Sequence, residues 1–107
     1  MSEAILLYSW EIGILSEHIE KITHDLASLL EKAGYKKNGD WTDGFFTITP
    51  ILDRERNHST LTLNLKSNEF TRKAPIRDLI DHVIRRDEEY IIYSKFQKGP
   101  GYYGAED

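Results

Sequence analysis

The groups able to move a proton or hold a cation are 18 acids and four histidines. Glu20 and His24 stand one helical turn apart, with Glu17 and Glu31 near them on the same polar face. A carboxylate and an imidazole at that spacing can share a metal ion. No second histidine stands at a motif spacing, because His18 points to the flank of an apolar stripe, and a solvated charged face is the ordinary role of such a pattern. His58 lies among Asp53, Arg54, Glu55 and Arg56, and His82 sits at the side of a second helix. A serine–histidine–carboxylate triad can be assembled from any chain order, but no serine carries the glycine pattern of a nucleophile elbow. Gly99-Pro-Gly101-Tyr-Tyr-Gly104 spells a dinucleotide fingerprint without the following helix that would hold a pyrophosphate. Asn38-Gly-Asp40-Trp-Thr-Asp43-Gly44 lacks the spacing and closing glutamate of a calcium loop and reads as turn chemistry. Cysteine is absent, which removes disulfides, thiolate zinc sites and cysteine nucleophiles. No catalytic residue, metal or cofactor is assigned.

These side chains need elements to position them. Ala4–Ile12 reads as a strand, apolar on both faces at first, as a central strand is. Ser16 stands where a helix cap belongs, and Ile19, Ile22, Leu26, Leu29, Leu30 and Ala33 follow at helical spacing, ended by Gly34. Tyr35–Gly44 reads as a polar connection. Phe45–Leu52 and Ser59–Lys66 read as a hairpin, and Leu61, Leu63 and Leu65 alternate with Thr60, Thr62 and Asn64. Pro50 places the first of that pair at a sheet edge. Pro75 opens a second helix with Ile76, Leu79, Ile80, Val83 and Ile84 buried. It ends near Arg86, because a longer helix would carry Asp87 into the core. Tyr90–Phe96 is a last strand.

The chain has 107 residues, 39% hydrophobic and 30% charged, the composition of one globular domain. We expect residues 1–97 to form it, with 98–107 a flexible tail. The order βαββαβ predicts a two-layer α+β, ferredoxin-like fold: a four-stranded antiparallel sheet with both helices on one face. The strand AILLYSWEI, its helix and Ala33-Gly34-Tyr35 resemble small ferredoxin-like ribonuclease-type proteins. That resemblance implies an acidic residue ending the first strand, where Glu11 stands.

The net charge of −4 leans away from non-specific nucleic-acid binding, which calls for a basic surface. No apolar run reaches membrane-spanning length, and no basic leader precedes one, so a soluble, cytoplasmic protein is expected. Alternation puts Tyr8 and Trp10 on one face of the first strand. Facing the open side of the sheet they would be a stacking platform or a partner surface; facing the helices they would be core. The leading expectation is a non-enzymatic protein-binding module of inhibitor, immunity or adaptor type, microbial or phage in style. Its partner-binding residues would be Tyr8, Trp10, Trp41 and the turn Asp53, Arg54, Glu55, Arg56 and His58. A homodimer through the open sheet face is compatible with it. The alternative is a nucleic-acid-binding or RNA-processing domain using Arg54, Arg56, Arg72, Lys73, Arg85 and Arg86 on phosphates, with Glu11 or His58 as acid–base groups.

Overall fold

The computed structural model describes residues 4–68 and 74–102. Strand β1 (Ile5–Leu15) leads through a short 3-10 turn into helix α1 (Ile19–Lys32). Two three-residue strands follow, β2 (Lys36–Asn38) and β3 (Asp40–Thr42), then the hairpin β4 (Phe46–Arg54) and β5 (His58–Ser67). Helix α2 (Ile76–Arg86), a second 3-10 turn (Glu88–Tyr90) and β6 (Ile91–Lys98) are the last elements of the described residues. The strands make one antiparallel sheet in the order β2-β3-β4-β5-β1-β6.

The expected four-stranded ferredoxin-like sheet is therefore not what is seen. Residues that read as a loop form a hairpin about Gly39, whose φ of 79° suits glycine, and β3 pairs with the start of β4 through Trp41↔Ile48 and Thr42↔Thr47. The sheet gains two strands, and β4 is an edge only beyond that contact. Pro50 lies in the part left open. The bond from the Glu55 N–H to the His58 carbonyl closes the β4–β5 hairpin. Alternation from there turns the even-numbered peptide groups of β4 outward, so the donor that Pro50 lacks falls on the unpaired side.

Register separates the two faces of the sheet. Tyr8, Trp10 and Ile12 pair with Leu65, Leu63 and Leu61 on one face, and all six are buried. Both helices cover this face. The indole Nε1 of Trp10 donates to Asp81 Oδ1 of α2 at 3.0 Å, and Ile19, Ile22, Leu26 and Leu30 of α1 join the same core. Each large apolar side chain so buried contributes about 1.5–3 kcal/mol. The other face is polar: Ser9 pairs with Asn64, Glu11 with Thr62, Thr49 with Asn64 and Thr47 with Lys66.

Helix α2 ends at Arg86, yet Asp87, its C-cap, is only 3% exposed. It is tolerated because Lys21 reaches its Oδ1 at 3.3 Å and Arg86 Nε lies 3.6 Å away. The same two cations hold Asp25 of α1 at 2.9 and 3.2 Å. Two acids and two bases thus tie the helices together.

Candidate functional site

A groove of about 260 Å³ lies between α1 and β4 on the helix-facing side of the sheet. Its helix wall is the stripe Thr23, Leu26, Ala27 and Leu30, and its floor is Leu61 and Leu63. Pro50 and Leu52 form the outer wall, on the stretch of β4 that runs past its pairing with β3. The β2–β3 hairpin closes one end with Trp41 and Lys37, whose ammonium lies 5.9 Å from the Trp41 ring. Past Leu52, Arg54 reaches across to Glu20 of α1 at 3.1 Å. The lining is chiefly apolar, and Leu52 is 39% exposed.

The expected partner-binding residues fall into three places. Tyr8 and Trp10, each 1% exposed, point to the helices and are core. The open-face arrangement does not occur, since the bond to Asp81 and the ring contacts with Phe96, at 5.3 and 5.4 Å, hold them inward. Trp41 is buried but forms a groove wall. Asp53, Arg54, Glu55 and Arg56 are exposed at the β4–β5 tip, where His58, partly buried, lies 3.3 Å from Glu55. The alternation of leucines that marks β5 as a strand also marks the groove floor. What sequence reasoning missed is that Pro50, Leu52 and α1 leave that floor open.

Proton-moving groups are dispersed. On the open face Tyr93 donates to Glu11 Oε2 at 3.1 Å, and its ring occupies the space over Gly13, where an added Cβ would come within 2.3 Å of it. Glu11 and His58 stand opposite Thr62 and Leu15, so four strand positions, roughly 13 Å, separate them. They cannot exchange a proton directly. Ser9, Glu11, Thr62, Lys95 and Gln97 frame a shallow recess of about 150 Å³. Among the described residues no three acids or histidines converge on a point that would hold a metal. Asp43 Oδ1 accepts from the Phe45 and Phe46 N–H groups and so serves the turn, and Asp40 accepts from Thr49 and so ties β3 to β4.

Among the described residues four titrating groups, Lys21, Asp25, Tyr35 and Tyr90, are displaced. The hydrogen bond from Lys21 holds Asp25 below its ordinary value, against some desolvation. Burial, with a smaller contribution from Asp43, pushes the Tyr35 phenol well up. Asp25 belongs to the ion cluster that ties the helices together and Tyr35 to the hydrophobic core, so both are structural perturbations.

Of the six bases considered for phosphate contact, Arg72 and Lys73 lie outside the described residues, Arg54 pairs with Glu20, and Arg86 serves Asp25 and Asp87. Gly99 and Gly101 of the fingerprint-like run donate to the Leu7 and Leu6 carbonyls, with no room for a Cβ at either. This part of the expected tail lies against β1, and Tyr103 and Gly104 lie outside the described residues. No helix of the described residues is long and apolar enough to cross a membrane. No protein family matches the sequence, and no curated protein matches it either.

Proposed function

We propose that this chain is a small non-enzymatic protein-binding module, of inhibitor, immunity or adaptor type, whose partner seats an apolar side chain in the α1–β4 groove. The observation that supports this reading is the open apolar groove flanked by an exposed, charged hairpin. Interfaces with an apolar centre and a polar rim have this composition. Trp41 shapes the pocket from inside the fold. Asp53, Arg54, Glu55, Arg56 and His58 supply the rim, and Arg54 is already anchored to the groove helix. The lack of cysteine suits work in a reducing, cytoplasmic setting.

The test is capture by the tagged protein with and without nuclease treatment, comparing wild type with Leu52→Asp and Arg54→Glu. A stoichiometric protein partner should survive nuclease. Leu52→Asp should weaken its binding by about 2 kcal/mol, roughly thirtyfold, as expected for a central apolar contact. Arg54→Glu should act chiefly on the association rate. Recovery of nucleic acid without a stable protein, or capture indifferent to Leu52→Asp, would overturn the reading.

A further inference from the structure

We propose that β6 is a self-association edge, on which a second copy of this chain adds its own β6 antiparallel to form a twelve-stranded sheet. The two ends of the sheet differ in how they are protected. At one end β2 is three residues long, exposed and carries Lys36 and Lys37, and the open stretch of β4 carries Pro50. Short length, lysine and proline are the usual means of blocking an edge. At the other end β6 runs for eight residues without proline, and among the described residues β1 is its only strand partner.

The free groups can be identified. The Gly99 N–H donates to the Leu7 carbonyl at 2.7 Å. Alternation from that pair turns Gln97, Lys95 and Tyr93 toward Ser9, Glu11 and Gly13. The peptide groups of Ser94 and Phe96 then face outward, where an added strand would satisfy them. Ile92, at the start of the edge, is 53% exposed.

The edge also suits a copy of itself. An isologous contact presents one patch to the same patch, so its charges must be self-complementary. The concavity beside β6 carries Arg85 together with Glu88 and Glu89. A two-fold axis at Ser94 sets Tyr93 of one copy opposite Lys95 of the other, a pairing of ring and cation that Lys95 already makes with its own Tyr93 at 5.7 Å. Moving the axis to Lys95 would oppose two ammonium groups, which disfavours that register.

Sedimentation equilibrium over a micromolar-to-millimolar range tests this, with amide hydrogen exchange at low and high concentration. A monomer–dimer equilibrium is expected, with the Ser94 and Phe96 amides gaining protection as the dimer fills. Ser94→Pro removes an outward donor without breaking a bond to β1. It should weaken the dimer on the order of tenfold to hundredfold, since symmetry removes two bonds. Ile92→Asp, which leaves the backbone alone, should weaken it too. Leu52→Asp, three strands away on β4, should leave it intact. A wild type that is monomeric throughout, a dimer whose Ser94 and Phe96 amides stay unprotected, or one that survives both edge variants would overturn the proposal.

Discussion

Replacing Gly13 with alanine should destabilise this protein, and should stabilise it once Tyr93 is gone. Gly13 lies inside β1, two residues from its end, where glycine is costly: relative to alanine it gives up about 0.5–1 kcal/mol of backbone entropy. Its φ is not left-handed, so conformation does not require it. Space does, because an added Cβ would lie 2.3 Å from one Tyr93 ring carbon and 2.5 Å from another. The ring must swing away, which also strains the phenol's bond to Glu11 at 3.1 Å and its contact with Thr60 at 3.4 Å. Overpacking of this kind costs about 1–3 kcal/mol. Set against the entropy regained, Gly13→Ala should lose up to about 2.5 kcal/mol by these two magnitudes, with a centre of about 1 kcal/mol. In a Tyr93→Ser background the overlap vanishes, and the same change should gain about 0.5–1 kcal/mol. Urea unfolding of the four proteins measures the cycle, with unchanged m-values certifying comparable states. If Gly13→Ala has the same sign and size in both backgrounds, the ring does not lie over Gly13 and the account of the open face is wrong.

Other expectations follow from the core and the ion cluster. Trp10→Phe keeps a buried ring but drops the bond to Asp81 and should cost about 1–3 kcal/mol, whereas Asp81→Asn, which keeps an oxygen acceptor, should cost less than about 1 kcal/mol; thermal unfolding compares them. Asp25 is held below its ordinary value of 3.8. Its contribution is therefore present above that pH and is lost as pH falls through the lower, folded value. Urea midpoints measured on the acid side should drop less steeply for Asp25→Asn than for wild type. Tyr35 is displaced upward from an ordinary value of 10.0, so its contribution is present below that pH and declines as pH rises above it. Tyr35→Phe should flatten the alkaline limb of the same stability curve.

Long, periodic segments were legible in the sequence, and short polar ones were not. The α1 stripe Ile19, Ile22, Leu26 and Leu30 is buried as its spacing requires. The β4–β5 hairpin lies within two residues of its expected bounds, and α2 ends at Arg86. The β2–β3 hairpin was invisible because all three residues of β2 are exposed, so no burial pattern marks it. Its clue was Trp41, buried between two half-exposed neighbours. Ser16 makes no cap bond to a helix that begins three residues later at Ile19. The face of Tyr8 and Trp10 is written in the alternation of Tyr8, Trp10, Ile12 and Ile14 with Ser9, Glu11 and Gly13; the run Ile5-Leu6-Leu7, apolar on both faces and followed by a register shift between Leu6 and Tyr8, obscures it. The bond from Trp10 to Asp81, 71 residues away, agrees with that alternation. The groove was illegible because it arises where β3 stops short of β4, which no local pattern encodes.

The central place of β1 sets the order of events during synthesis. Its neighbours are β5 and β6, so Leu7, Trp10 and Ile14 leave the ribosome well before anything exists to pair with them. Glu11 waits for Tyr93, 82 residues later. Long loops must close before such contacts return any free energy, which slows folding and prolongs exposure of apolar surface. Helix α1, whose stripe emerges directly behind β1, is the earliest cover available. Weakening that stripe should therefore lower the yield of nascent chains that reach the native state by more than the loss of equilibrium stability alone would explain.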